Sequence, residues 1–216
     1  SEVFGSSRKI FSQLNNADFS FGNVNVDGNA IELTHGNFVV LLKHPSRKVR
    51  EQAFNNYYEV FERHKNSLSA VFSSSLKKDH YLAKVRRFSS VLEQQLYGDM
   101  LTREVYDNLI ATFEQHLAPL HRYYVLRAKT LGLGDLKIYD TYVSLVPETS
   151  FHFTYEEAAS LTLSAVACLG EEYTAPLRRG LLEARWVDRF ENKGKRSGAY
   201  SSGCYESPPY ILMNFN

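Results

Sequence analysis

The sequence predicts a mainly α-helical protein with one β-hairpin near the N-terminus and a small β-sheet at the C-terminus. Three observations carry this reading. Apolar residues recur at helical spacing between Pro45 and Leu131, Asp27-Gly28 separates two short apolar-containing runs, and the helical pattern stops at Trp186.

Residues 7–15 read as a short helix ending in the polar Asn15-Asn16-Ala17-Asp18. A hairpin near 19–34 follows, with Phe19, Phe21, Val24 and Val26 before Asp27-Gly28-Asn29 and Ala30–Thr34 after it. Asp-Gly between such runs is a strong hairpin signal. Gly36-Asn37 is a second turn. From Pro45 onward Val49, Ala53, Phe54, Tyr57, Phe61, Leu68, Phe72, Leu76, Val85 and their neighbours fall mostly three, four or seven residues apart, which draws one apolar stripe. Lys48, Arg50, Glu51, Glu59, Glu62, Arg63 and Lys65 occupy the opposite face. No Gly or Pro interrupts Ser46–Tyr97, so this stretch predicts one very long helix or two nearly collinear ones.

Gly98-Asp99 breaks the pattern, and Thr102 caps a second long helix over 103–131. Pro119 inside it predicts a kink near His116, because proline removes a backbone donor and crowds the preceding turn. Gly132 and Gly134 end it. Lys137–Pro147 is irregular and aromatic. Thr154-Tyr155-Glu156-Glu157 has capping-box spacing and opens a helix to about Leu169, closed by Gly170; another short helix covers roughly 171–183.

At 216 residues, 44% apolar and 23% charged, the chain has the make-up of a soluble globular protein with a sizeable core. A formal net charge of +1 argues against a nucleic-acid or membrane surface. The longest apolar runs, Phe38–Leu42 and Tyr210–Met213, are too short to span a bilayer. Cys168 and Cys204 form no clustered pair, which fits a reducing compartment.

No HExxH, HxH, Cys/His cluster or GxSxG occurs in these residues. His116 and His121 lie five positions apart on a helix, about 500° of rotation, so they point apart by about 140°. Lys193-Gly194-Lys195-Arg196-Ser197-Gly198 reads first as a solvated turn, with an anion cradle or a ligand-facing loop as alternatives. The small-residue run Ser197-Gly198-Ala199-Tyr200-Ser201-Ser202-Gly203 reads as an edge strand, open to an extended peptide by strand addition. The alternative is an edge covered by the chain's own continuation. Tyr210–Met213 is continuously apolar, as expected of an interior strand covered on both faces.

Several segments resemble one family. They are Leu14–Asp18, Leu33–Asn37, Arg47–Phe54, Glu104–Ile110, Tyr139-Asp140 with Val146-Pro147, Leu169–Tyr173, Trp186 with Glu191–Ser201, and Pro209–Asn214. Together they resemble oligoendopeptidase F, in the thimet-oligopeptidase-like zinc metallopeptidases of peptidase family M3. The resemblance implies a two-lobed, long-helix shell around a deep channel that admits short oligopeptides. It implies a zinc-bound water held by an HExxH helix and a further glutamate, with the motif's own glutamate as general base. That helix follows the Tyr-Ile-Leu-x-Asn strand in the family, and the sequence stops at Asn216 before it.

The expectation is therefore a piece of such a peptidase, inactive alone and holding no zinc of its own. Residues 1–150 would form the channel wall with its hairpin, and 151–216 the start of the catalytic domain. Its partners would be the oligopeptide substrate and the C-terminal catalytic portion of the same protein. Gly198, Ala199, Tyr200, Ser201 and Ser202 would pair with substrate backbone, with Tyr210 on the strand behind. The competing expectation is a metal-free helical module that binds peptides or other partners.

Overall fold

The computed structural model describes residues 2–146, 152–192, 195 and 197–215. In chain order the main elements are α1 Ser6–Gln13, β1 Asn23–Val26, β2 Asn29–Glu32, α2 Phe38–Leu42, α3 Arg47–Arg63, α4 Lys65–Val85, α5 Val91–Tyr97, α6 Arg103–Gln115 and α7 Leu117–Thr130. After them come α8 Tyr155–Ala165, α9 Glu171–Leu182, β3 Val187–Phe190, β4 Tyr200–Ser202 and β5 Tyr210–Phe215. The fold is mainly helical, with the expected hairpin and terminal sheet.

The stripe on α3 organises the N-terminal core. Val49, Ala53 and Val60 are buried there with Leu41 of α2 and with Phe21, Val24 and Leu33 from around the hairpin. Asp27 (φ 51) and Gly28 (φ 88) both take left-handed conformations, as the two-residue hairpin turn requires. The register runs from Asn23↔Glu32 to Val26↔Asn29. Two amides on α3 fasten the hairpin: Gln52 Oε1 accepts from Asn25 N at 3.0 Å, and Asn56 Nδ2 donates to Asn23 O at 3.0 Å.

The stretch Ser46–Tyr97 forms three helices, one more than the apolar stripe suggested. The first break is His64 (φ −102, ψ 11), whose ring Nδ1 donates to Val60 O at 2.7 Å. The second is Arg87, left-handed at φ 63. Around it Phe88 N bonds Ala83 O at 3.0 Å and Arg87 N bonds Lys84 O at 3.1 Å, a Schellman closure without glycine. The kink at Pro119 is found where expected: α6 gives way to α7 at His116, whose Nδ1 donates to Thr112 O at 2.7 Å. The capping box at Thr154 is complete, with Glu157 N to Thr154 Oγ1 at 3.3 Å and Thr154 N to Glu157 Oε2 at 2.7 Å. The Thr154 amide, with the Thr154 hydroxyl that donates to the same Oε2 at 2.9 Å, holds the Glu157 carboxyl below its ordinary pKa.

A buried carboxylate joins α3 to the segment after α7. Asp140 has no exposed surface. It accepts from Arg50 at 2.8 Å, from Arg47 at 2.9 Å and from Lys137 N at 3.0 Å. Burial alone would raise its pKa, but the hydrogen bonds from Arg47, Arg50 and the Lys137 amide, with the Arg47 charge, hold it below the ordinary value. Arg127 of α7 donates to Asp140 O at 3.0 Å and to Val143 O.

Removing one partner of a buried ion pair leaves the other charge uncompensated. Asp140→Ala should therefore cost about 3–5 kcal/mol in chemical denaturation. Because folding lowers this pKa, its contribution is full above the ordinary aspartate value of about 3.9 and fades as pH falls through the folded value. Asp140→Asn should flatten that acid limb of the stability curve.

Candidate functional site

The terminal sheet has strand order β3-β5-β4. β5 is central, as its apolar sequence suggested, and β4 lies at the edge. β3 runs parallel to β5 and β4 antiparallel, with Tyr200↔Leu212, Ser201↔Ile211 and Ser202↔Tyr210 in register. Side chains alternate across a strand, so these pairs define two faces. Ile211, Met213 and Phe215 pack with buried Tyr155, Ala159 and Val187 against α8 and α9. Ser201 shares that inner face. Tyr200, Ser202, Tyr210, Leu212 and Asn214 share the outer one. All of β4 is exposed, and Ile211–Phe215 are half-buried rather than sealed on both sides.

The helices hold the sheet through specific contacts. Trp186 lies against Gly180 of α9, where any Cβ would overlap the indole ring. Arg189 stacks on the Tyr155 ring at 4.1 Å and donates to Leu181 O at 3.1 Å and Glu156 Oε1 at 3.0 Å. The Tyr155 hydroxyl donates to Leu181 O at 3.2 Å. Burial pushes the Tyr155 pKa up, against the opposing pull of Arg189.

The approach to β4 is also tethered. Lys195 Nζ reaches Asp188 Oδ1 at 3.1 Å, Asp188 O at 3.2 Å and Phe190 O at 2.7 Å, and its side chain is only 5% exposed. This cation is committed to β3, which speaks against an anion cradle at Lys195. Lys193, Gly194 and Arg196 lie outside the described residues, as does the 150/151 boundary between the two expected regions. Gly198 has φ +92, and its carbonyl accepts from Asn214 Nδ2 at 2.8 Å. The sequence reading marked Gly198–Ser202 and Tyr210. It did not foresee that Asn214 and Lys195 brace them. The available signal was a lone polar residue, Asn214, in an apolar strand.

Among the described residues, no three His, Cys, Asp or Glu side chains converge as metal ligands. The residues present do not fit the zinc site that the resemblance implies, so no metal-dependent step is assigned to them. Cys168 and Cys204 are free and exposed. Among the described residues no helix is long and apolar enough to cross a membrane.

A sequence profile described as "Peptidase family M3" matches residues 40–216. The chain belongs to peptidase family M3. Within it, the chain is similar to oligoendopeptidase F. Oligopeptidase PepF of Bacillus subtilis is 48% identical over 100% of this chain and 32% of its own length. An oligoendopeptidase F homolog of Borreliella burgdorferi is 40% identical over 99% of this chain and 35% of its own length. The crystal structure of oligoendopeptidase-F from Enterococcus faecium superposes with a TM-score of 0.66 at 35% identity, covering 81% of this chain and 32% of that one. The chain thus spans about a third of the length of the curated relatives it matches.

The chain has 1 tryptophan, so its fluorescence reports the α9–β3 junction directly. Gly180→Val should red-shift Trp186 emission and cost about 1–3 kcal/mol, the usual range for overpacking a filled core. Unchanged emission and stability would mean that the ring has room to move.

Proposed function

We propose that these residues form the peptide-holding part of a zinc-dependent endopeptidase that hydrolyses short oligopeptides. The observation that carries the reading is an exposed edge strand, β4, on a sheet clamped to α8 and α9, in a chain of peptidase family M3. An edge strand can hydrogen-bond to an extended backbone without reading every side chain, which suits broad specificity. In this reading Gly198, Ala199, Tyr200, Ser201 and Ser202 hold the substrate backbone, and Tyr200 and Tyr210 flank it on the outer face. A deep, narrow channel of the kind the family resemblance implies would exclude folded proteins by size, so the substrates are unstructured peptides.

The metal, its water and the general base are assigned to residues outside these 216, in the C-terminal catalytic portion of the same polypeptide. Residues 1–150 serve as channel wall and 151–216 as the start of the catalytic region, in the cytoplasm. The exposed apolar side chains of α6 and α7 support this. Leu109 is 69% exposed, Phe113 63% and Val125 71%, a surface that calls for cover by further protein.

Purified 1–216 should not cleave a quenched fluorescent peptide, with or without added zinc. Chelator-sensitive cleavage by the isolated chain would overturn the placement of the metal elsewhere. In the whole peptidase, Gly198→Pro should lower kcat/KM about tenfold, or ~1.4 kcal/mol, with zinc content unchanged. Parallel loss of zinc and turnover would remove β4 from substrate binding.

A further inference from the structure

The ladder between β4 and β5 stops one rung before the register does. Tyr200↔Leu212 and Ser202↔Tyr210 are pairs on the outer face. Extending the antiparallel register by two residues places Asn214 opposite Gly198. No backbone ladder can continue there, because Gly198 has turned into the left-handed region at φ +92. The Asn214 side chain crosses the gap instead, with Nδ2 donating to Gly198 O at 2.8 Å. A side-chain amide thus takes over from the backbone at the point where the edge strand begins.

We propose that Asn214 is a positioning residue for the peptide-holding edge, which it secures through the Gly198 carbonyl. The inference rests on the reading of β4 as the substrate edge. Three features support it. Asn214 sits on the central strand, whose other face is anchored in the core through Met213 and Phe215. Among the described residues nothing lies within 4 Å of a Cβ built on Gly198, so no neighbour there packs against that side of the turn. β4 is only three residues long and has β5 as its one strand neighbour in the sheet. A short strand launched from an unpacked, left-handed glycine needs a fixed starting point to stay extended. Binding a peptide to a loose edge also costs ordering entropy that a fixed edge has already lost. Asn214 acts before the peptide arrives, so its effect falls on binding and leaves bond cleavage alone.

The test uses the whole peptidase, a quenched fluorescent peptide and amide hydrogen exchange read by mass spectrometry. Asn214→Asp is nearly isosteric and removes the donor. It should speed exchange across 197–202 at least tenfold and raise KM about tenfold, with kcat within about twofold and exchange across β3 unchanged. Gly198→Ala should move KM the same way, because the left-handed backbone is strained for alanine. Asn214→Gln keeps an amide on a longer arm and should recover part of the loss. Unchanged exchange and KM in Asn214→Asp would overturn the proposal. So would a fall in kcat at constant KM, or faster exchange across β3 that shows general loosening of the sheet. Faster exchange with KM moved by Gly198→Pro but not by Asn214→Asp would overturn the role of Asn214 alone. Faster exchange with KM moved by neither would overturn the substrate edge itself.

Discussion

The Asp140 carboxylate gathers parts of the chain that lie far apart in sequence. Arg47 and Arg50 reach it from α3, across 93 and 90 positions of sequence. Arg50 also donates to His44 O and Pro45 O, both at 2.8 Å, so the turn before α3 is tied to the same centre. Arg127 brings α7 to the Asp140 and Val143 carbonyls. Ion pairs of this kind contribute little net stability once desolvation is counted, and replacing all partners by apolar groups is often neutral. Their strength is in selecting geometry. A buried aspartate whose carboxylate faces two guanidinium groups and whose carbonyl takes a third tolerates few arrangements, so α3, α7 and the irregular 135–143 segment are held in one.

Much of the helical plan could be read from residues whose effects are local. Pro119 breaks its helix by steric necessity, and His116 is found at the break. Thr154 and Glu157 satisfy each other's backbone at the start of α8. Asp27-Gly28 supplies the two left-handed residues of its turn. The breaks that escaped notice were made by residues with no such signature. Arg87 takes a left-handed conformation at φ 63, where glycine would have announced the helix end, and His64 breaks the chain of helices at φ −102 without glycine or proline. The expected break at Gly98-Asp99 is where α5 ends, and beyond it Leu101 N reaches Leu96 O at 3.0 Å across the left-handed Met100.

The sheet shows the same division. Small residues marked β4 as an edge and a continuous apolar run marked β5 as central, and both follow from composition. The two faces of β5 did not. Its inner side meets Tyr155, Ala159 and Val187, while Tyr210 on the outer side stays 64% exposed. Nor could spacing show that Lys195 is spent on Asp188, or that Asn214 reaches Gly198 across 16 positions. Such contacts depend on where the backbone has already been carried by the rest of the fold. The aspartate-centred network was hidden for the same reason, since its members sit in segments that look unrelated in the sequence.

The brevity of β4 has a further consequence for any peptide that pairs with it. Three residues at about 3.3 Å each span roughly 10 Å, room for only a few backbone bonds. Ser201 and Ser202 are too small to lock a bound side chain in place. A peptide shifted by one residue would turn every side chain to the opposite face, whereas a shift of two restores the same faces and the same bonds. An edge like this therefore permits sliding in steps of about 6.6 Å. A peptide held only here would meet a fixed reacting centre in registers two residues apart, and its products would form a ladder with that spacing.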